Sequence, residues 1–260
     1  MKEQTRSVIL QCDDITVDFD GFKAVQGMNL RLLEGELRFL IGPNGAGKTT
    51  MLDMICGKTK PTSGRIVFGS AEITRMKEHQ IAELGIGRKF QTPSIFRTLS
   101  VFDNLEIAMK QPRGVFATMR AKLRGEDRDR VHAQLAMIGL ETKASWRAGD
   151  LSHGEKQWLE IGMMLMQEPQ VLLLDEPVAG MTDNETEKTG ELLREISRTQ
   201  SVIVVEHDME FVRNFASKVT VMHEGKLLKE GSMEEVQRDD RVAEVYLGKR
   251  RDADASRSTA

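Results

Sequence analysis

The chain has 260 residues, enough for one large α/β domain or two modest ones and for a core that needs no staples. Its 40 acidic residues slightly outnumber its 37 basic ones, and the net charge of -3 argues against a broad basic surface for nucleic acid. Two cysteines, Cys12 and Cys56, make neither a metal cluster nor a disulfide framework and read as reduced thiols of a cytosolic chain; no run of about 18 apolar residues is present to span a bilayer.

The opening stretch MKEQTRSVIL lacks the apolar region of a secretion signal. Residues 7–18 and 22–33 read as strands, with the turn residues Asp20 and Gly21 between them. A short apolar strand over 36–41 runs directly into GPNGAGKTT, and a helix, TTMLDMICG, follows. A strand is predicted over 64–68 and a short helix over 78–84. From about 100 to 148 the pattern turns helical, most clearly in FDNLEIAMK and DRVHAQLAMIGL, which predicts a helical subdomain inserted in the α/β core. The basic stretch 120–130 reads as a solvated helix face. LSHGE then opens an apolar helix whose Met163, Met164 and Met166 read as core filler. Beyond it come a wholly apolar strand over 171–174, a helix over 185–199, a strand over 202–205 and a helix over 209–215. Residues 218–222 and 226–230, joined at Glu224-Gly225, read as a hairpin, and the polar tail KRRDADASRSTA is predicted to be disordered. This alternation predicts a mostly parallel sheet covered by helices.

The strongest chemical signal is Gly42-Pro43-Asn44-Gly45-Ala46-Gly47-Lys48-Thr49, with Thr50 following it. It matches G-x-x-x-x-G-K-[ST] between a strand and a helix, as that motif requires. The glycines let backbone N–H groups converge on phosphate oxygens, and the helix start adds a favourable dipole. Lys48 would reach the β- and γ-phosphates and the Thr49 hydroxyl would ligate Mg²⁺. Next, the apolar run VLLL ends in Asp175 and Glu176 at the carboxyl edge of a strand, where ligands of α/β sheets bind. Asp175 would hold Mg²⁺, directly or through water, and Glu176 would orient or deprotonate the attacking water. His207 ends a third apolar strand and would stabilise charge developing on the γ-phosphate. Gln91 lies between the first sheet and the helical insertion, placed to sense nucleotide and partner alike. Phe19 and Phe22 precede the phosphate loop; either could stack on an adenine, though ordinary core packing is the commoner fate of such residues. In LSHGE, Ser152 can cap the helix and the amides of Gly154 and Glu155 read as free donors. Two phosphate-binding helix starts in one chain suggest one ATP gripped from two sides by two protomers.

With these motifs in order, the sequence resembles the ATP-binding subunits of ATP-binding cassette (ABC) transporters over roughly residues 7–248. GPNGAGKT resembles the Walker A loop, LLLLDE the Walker B strand, LSHGE the signature loop and Ala179-Gly180-Met181-Thr182 the D-loop. Gln91 matches the Q-loop, where it would also reach the metal, His207 the switch histidine and Phe19 the aromatic that stacks on adenine. His153 and Glu155 depart from the usual signature LSGGQ, and Thr182 stands where many members have Asp. The resemblance implies a P-loop NTPase fold: a mostly parallel core sheet, an N-terminal antiparallel β subdomain and an inserted α-helical subdomain. It implies one cassette over 1–248, with the helical part at about 92–168 and a tail at 249–260. It further implies ATP and Mg²⁺ as ligands. A second ATP-binding subunit, identical or related, would present its signature loop in trans, with Ser152, Gly154 and Glu155 of this chain facing the γ-phosphate on the partner. Two transmembrane permease subunits, and indirectly a periplasmic solute-binding protein, would complete a bacterial importer working from the cytoplasmic face of the inner membrane.

IGPNGAGKTT, EPVAGM and VVEHDMEFV resemble the branched-chain amino-acid importer group, and LSHGEKQWLEIGMMLM with DEPVAGMTDNETEKT resembles a urea importer subunit within it. Urea is the expected cargo, with branched-chain amino acids as the alternative and an exporter or lipid-extraction ATPase behind both. Repair and chromosome ATPases carry a long coiled coil between the Walker motifs, for which the interval from Thr50 to Val171 is too short, and translation factors carry two cassettes in one chain.

Overall fold

A computed structural model of the chain describes residues 6–89, 95–110 and 125–245. Two long strands, β1 (Val8–Phe19) and β2 (Phe22–Leu33), pair as a hairpin closed at Asp20-Gly21. Their burial alternates as a half-buried pair demands, and a register shift between Cys12 and Ile15 resets the alternation at Asp14, whose φ is 48°. With β4 (Ser63–Phe68) and β5 (Ala71–Glu72) they form an antiparallel sheet in the order β2-β1-β4-β5.

The second sheet is built from near-continuous apolar runs: β3 (Leu37–Ile41), β7 (Val171–Asp175) and β8 (Ser201–Val205) are buried along their whole length. Strands of that kind belong inside a parallel sheet covered on both faces. With β6 (Ile86–Arg88), β9 (Lys218–His223) and β10 (Lys226–Gly231) the order is β10-β9-β3-β8-β7-β6, and only the β9–β10 edge pair is antiparallel.

Helix α1 (Lys48–Ile55) leaves β3, and α2 (Glu78–Leu84) precedes β6. Between β6 and β7 lie α3 (Val101–Ala108), α4 (Gly125–Met137), two 3₁₀ turns (Glu141–Lys143 and Ala148–Asp150) and α5 (His153–Leu165). Helix α6 (Asp183–Ile196) joins β7 to β8, α7 (Met209–Phe215) joins β8 to β9, and α8 (Met233–Gln237) follows β10. One core, with Leu10, Met28, Met51 and Ile203, lies between the two sheets around α1; the other, with Phe39, Leu105, Leu135 and Leu193, lies between the parallel sheet and the helices. This is the architecture expected from the sequence.

The element order carries the functional consequence. Strands β3, β8 and β7 are neighbours and parallel, so the loops leaving their carboxyl ends converge on one edge. Several expectations shift in detail. Helix α6 starts two residues before the predicted 185, because Thr182 caps it. Strands β5 and β6 are two and three residues long, too short for a sequence pattern. Met166 is buried, but Met163 and Met164 are only partly so, and Met164 lines a surface groove. Residues 125–130 are largely exposed, as a solvated face requires; 120–124 and the tail 249–260 lie outside the described residues.

Candidate active site

Residues 42–47 form the turn between β3 and α1. Gly47 is the N-cap of α1 at φ 96°, and a β-carbon there would come within 2.4 Å of the Ala24 carbonyl oxygen, so the turn closes this tightly only around glycine. No side chain caps α1 and no acidic residue occupies its first turn, which leaves the amides of the helix head for an anion. The Lys48 ammonium lies over the same turn, donating to Gly42 O at 2.8 Å and Pro43 O at 3.1 Å.

Asp175 ends β7 and is almost wholly buried. Burial raises its carboxyl above the usual range, against the neighbouring Thr49 hydroxyl and the Arg88 charge, which lower it. Its Oδ2 is buried without a hydrogen-bond partner among the described residues. A buried carboxylate oxygen with an open valence beside a threonine hydroxyl, both hard oxygen donors, fits a Mg²⁺ ion held by Thr49 and Asp175.

Glu176 follows in the left-handed region at φ 48°, with its amide tied to Val205 O at 2.9 Å. The bend lifts its side chain off the sheet, and its Oε1 lies 3.4 Å from His207 Nδ1. Both side chains are open to solvent. Sequence reasoning named each member of this pair but not their contact. It missed Glu206, which is 1% exposed and whose carboxylate accepts from Val178 N at 3.3 Å and His207 N at 3.2 Å. Burial raises the Glu206 carboxyl while those N–H donors lower it. This one side chain fixes the backbone on both sides of the site.

Ser152 is the N-cap of α5, as expected: its Oγ accepts from Glu155 N at 3.2 Å, and Ser152 N donates to Glu155 Oε2 at 3.0 Å. The expectation that the amide of Glu155 is a free donor is overturned: it is consumed by this capping box. Gly154 lies close against the Glu185 side chain, where a β-carbon would come within 2.6 Å of it. The Glu155 carboxylate also pairs with Lys143, and although burial pushes it up, Lys143 and the Ser152 amide carry it below the usual range. His153 Nε2 makes a 3.1 Å hydrogen bond with Ala179 O, which binds the signature loop to the D-loop. Thr182 caps α6 and makes its own capping box with Glu185, so the departure from Asp keeps a capping function.

Phe19 and Phe22 are 48% and 67% exposed at the hairpin tip, so core packing is ruled out for both. Two residues further along β2, Ala24 and Val25 lie close enough to Gly47 to exclude a side chain there. Gln91 lies outside the described residues. An apolar groove lined by Cys56, Ile86, Met109, Met164 and Gln167 runs between the sheet edge and the helices inserted after it.

Residues 25–179 match the family model described as ABC transporter. The high-affinity branched-chain amino acid transport ATP-binding protein LivG of Salmonella typhimurium is 34% identical over 249 residues, covering 92% of this chain and 98% of that protein. A nucleotide-free ATP-binding cassette from an ABC transporter superposes with a TM-score of 0.81 at 28% identity, covering 92% of this chain and 99% of the other. A dimeric cassette in a post-hydrolysis state, bound to ADP and Pi, superposes with a TM-score of 0.70 at 26% identity over 86% of this chain and 98% of that one.

Proposed function

The chain belongs to the ABC transporter family of ATP-binding, ATP-hydrolysing cassettes, and from that premise we propose that it powers an importer for branched-chain amino acids. The observation that carries the hydrolytic part is the Thr49–Asp175 contact with its unpartnered Oδ2, set beside the Glu176–His207 pair. The substrate part rests on the likeness to LivG, which runs almost end to end in both chains. Urea, the cargo expected from the sequence, draws no support from that relative and yields to the alternative.

ATP sits with its phosphates on residues 42–50 and its adenine on Phe19. Lys48 neutralises the β- and γ-phosphates. Thr49 and Asp175 would hold a Mg²⁺ ion, with Gln91 the further ligand expected from the sequence, and the ion would supply charge neutralisation for the phosphate chain. Glu176 takes the proton of a water whose oxygen attacks the γ-phosphorus, the bond from that phosphorus to the bridging oxygen breaks, and ADP keeps the electron pair. His207, next to Glu176, steadies the charge on the γ-phosphoryl group being transferred. The signature residues Ser152 and Gly154 face the γ-phosphate held by a second subunit, which opens and closes with hydrolysis. No helix among the described residues is long and apolar enough to cross a membrane, so the groove around Met109 and Met164 is offered as the seat of a permease element at the cytoplasmic face.

Uptake of radiolabelled leucine, isoleucine, valine and urea in cells lacking this chain tests the assignment. Loss of leucine, isoleucine and valine uptake with urea uptake intact is expected. Loss of urea uptake alone would reverse the substrate reading.

A further inference from the structure

The signature loop holds a negative charge of its own. The Glu185 carboxylate, on the first turn of α6, is shared between two partners. Its Oε2 accepts from the Thr182 amide and hydroxyl, each at 3.0 Å. Its Oε1 accepts from the Ser152 hydroxyl at 2.8 Å. Glu185 packs so closely that a β-carbon on Gly154 would lie 2.6 Å from Oε1. Ser152 Oγ–H is therefore given to an internal anion that also packs against Gly154.

Ser152 and Gly154 are the two residues that the proposed function sets against the γ-phosphate on the opposing subunit. A serine hydroxyl has one proton, so it cannot serve both acceptors fully. The carboxylate and the phosphate also repel. We propose that Glu185 is the residue that sets the nucleotide demand of closure: its carboxylate occupies the signature serine hydroxyl while the subunit stands alone, and the γ-phosphate of the opposing subunit displaces it when the pair closes. This rests on the in-trans reading of the signature loop.

Two consequences give the exchange a direction. Displaced Glu185 keeps its bonds to Thr182, so α6 stays capped and the carboxylate swings rather than unfolds the helix. Thr182 ends the D-loop, and His153 of the signature loop already grips Ala179 at its start. Phosphate arriving at Ser152 is thus felt at both ends of the segment that leaves Glu176. The occupied state taxes closure, because the competent form must first give up the bond between Ser152 and Glu185.

The test uses the assembly purified through a tag on this chain, with ATPase rate followed against ATP concentration. Glu185→Gln retains a residue that suits a capping box but removes the charge. Glu185→Asp keeps the charge on a side chain one methylene shorter, unable to hold Thr182 and reach Ser152 together. Both are expected to lower the ATP concentration for half-maximal rate about three- to tenfold, with kcat little changed. A purely structural role would raise that concentration or lower kcat. Ser152→Ala is run alongside. If it abolishes the closure-dependent rate while both Glu185 variants leave half-saturation unchanged or raised, the displacement idea is overturned and the in-trans reading stands. If Ser152→Ala leaves the rate intact, the in-trans reading itself fails and takes the proposal with it.

Discussion

Glu176 is held in a backbone conformation that a non-glycine residue adopts at a cost, with φ at 48°. What offsets that cost is the register around it: its amide is fixed on Val205 O, and the next loop is fixed by Glu206 through Val178 N. The bend aims the carboxylate away from β7, toward His207 Nδ1, instead of into the sheet. Glu176→Gln keeps the shape and the bend and removes the base, so ATPase rate should fall roughly 10²–10⁴-fold while nucleotide affinity, measured by a fluorescent ATP analogue, stays near that of the parent. Near-normal turnover would remove Glu176 from its role. Residues 42–49, Asp175, Glu176 and His207 were legible because each is announced locally, by a contiguous motif or by the end of an apolar strand. Glu206, His153 and Glu185 were not. Their partners lie 28, 26 and 33 residues away in the chain, and no spacing rule connects them.

At the scale of elements, one side chain ties together strands from both sheets. Arg38, on the central strand β3, is fully buried. It donates to Glu36 Oε1 and Glu230 Oε2, each at 2.6 Å, to Thr220 Oγ1 at 3.3 Å and to Arg31 O at 2.7 Å. Those partners come from β2, β9, β10 and the turn before β3. Arg38→Ala would strand buried Glu36 without its cation, and should cost about 3–5 kcal/mol in a urea unfolding curve. Helices carry their own charge signature. Burial raises the carboxyl of Glu155, on α5, but Lys143 and the Ser152 amide outweigh it and hold it low; that of Glu185, on α6, is held low chiefly by the Thr182 amide. Groups with depressed folded values stabilise the protein above their ordinary value of 4.5 and lose that contribution as pH falls through it toward the folded value. The melting temperature should therefore fall below about pH 4.5, and Glu155→Gln should flatten part of that slope. Long apolar strands and the capped helices were readable from periodicity. Helix α8 escaped although Ser232 and Glu235 form a capping box, because its five residues show no helical period.

For the whole molecule, the loops leaving β3, β7 and β8 bring the proposed nucleotide-binding residues of one subunit to one edge of the sheet. The second helix start proposed to meet phosphate, at Ser152, has its hydrogen bonds to Glu155, Ala179 and Glu185 through the loop it heads. On the proposed in-trans reading, two such half-sites are completed when two subunits face each other across a twofold axis, a symmetric, self-limiting arrangement. Nothing in a single sequence encodes that geometry directly; the hint lay in having one helix start too many. Ser152→Ala removes the hydroxyl donor, and Gly154→Asp adds a second carboxylate where a β-carbon already meets Glu185 at 2.6 Å. Neither change touches residues 42–50, so nucleotide affinity of the isolated chain should be unaltered in both. Subunit association should suffer instead: in a Glu176→Gln background, ATP-induced pairing followed by analytical ultracentrifugation should weaken by about tenfold for Ser152→Ala and more for Gly154→Asp, where like charges face the phosphate. If the isolated chain of either variant loses nucleotide affinity, its signature loop serves its own phosphate loop, and the twofold pair is the wrong assembly.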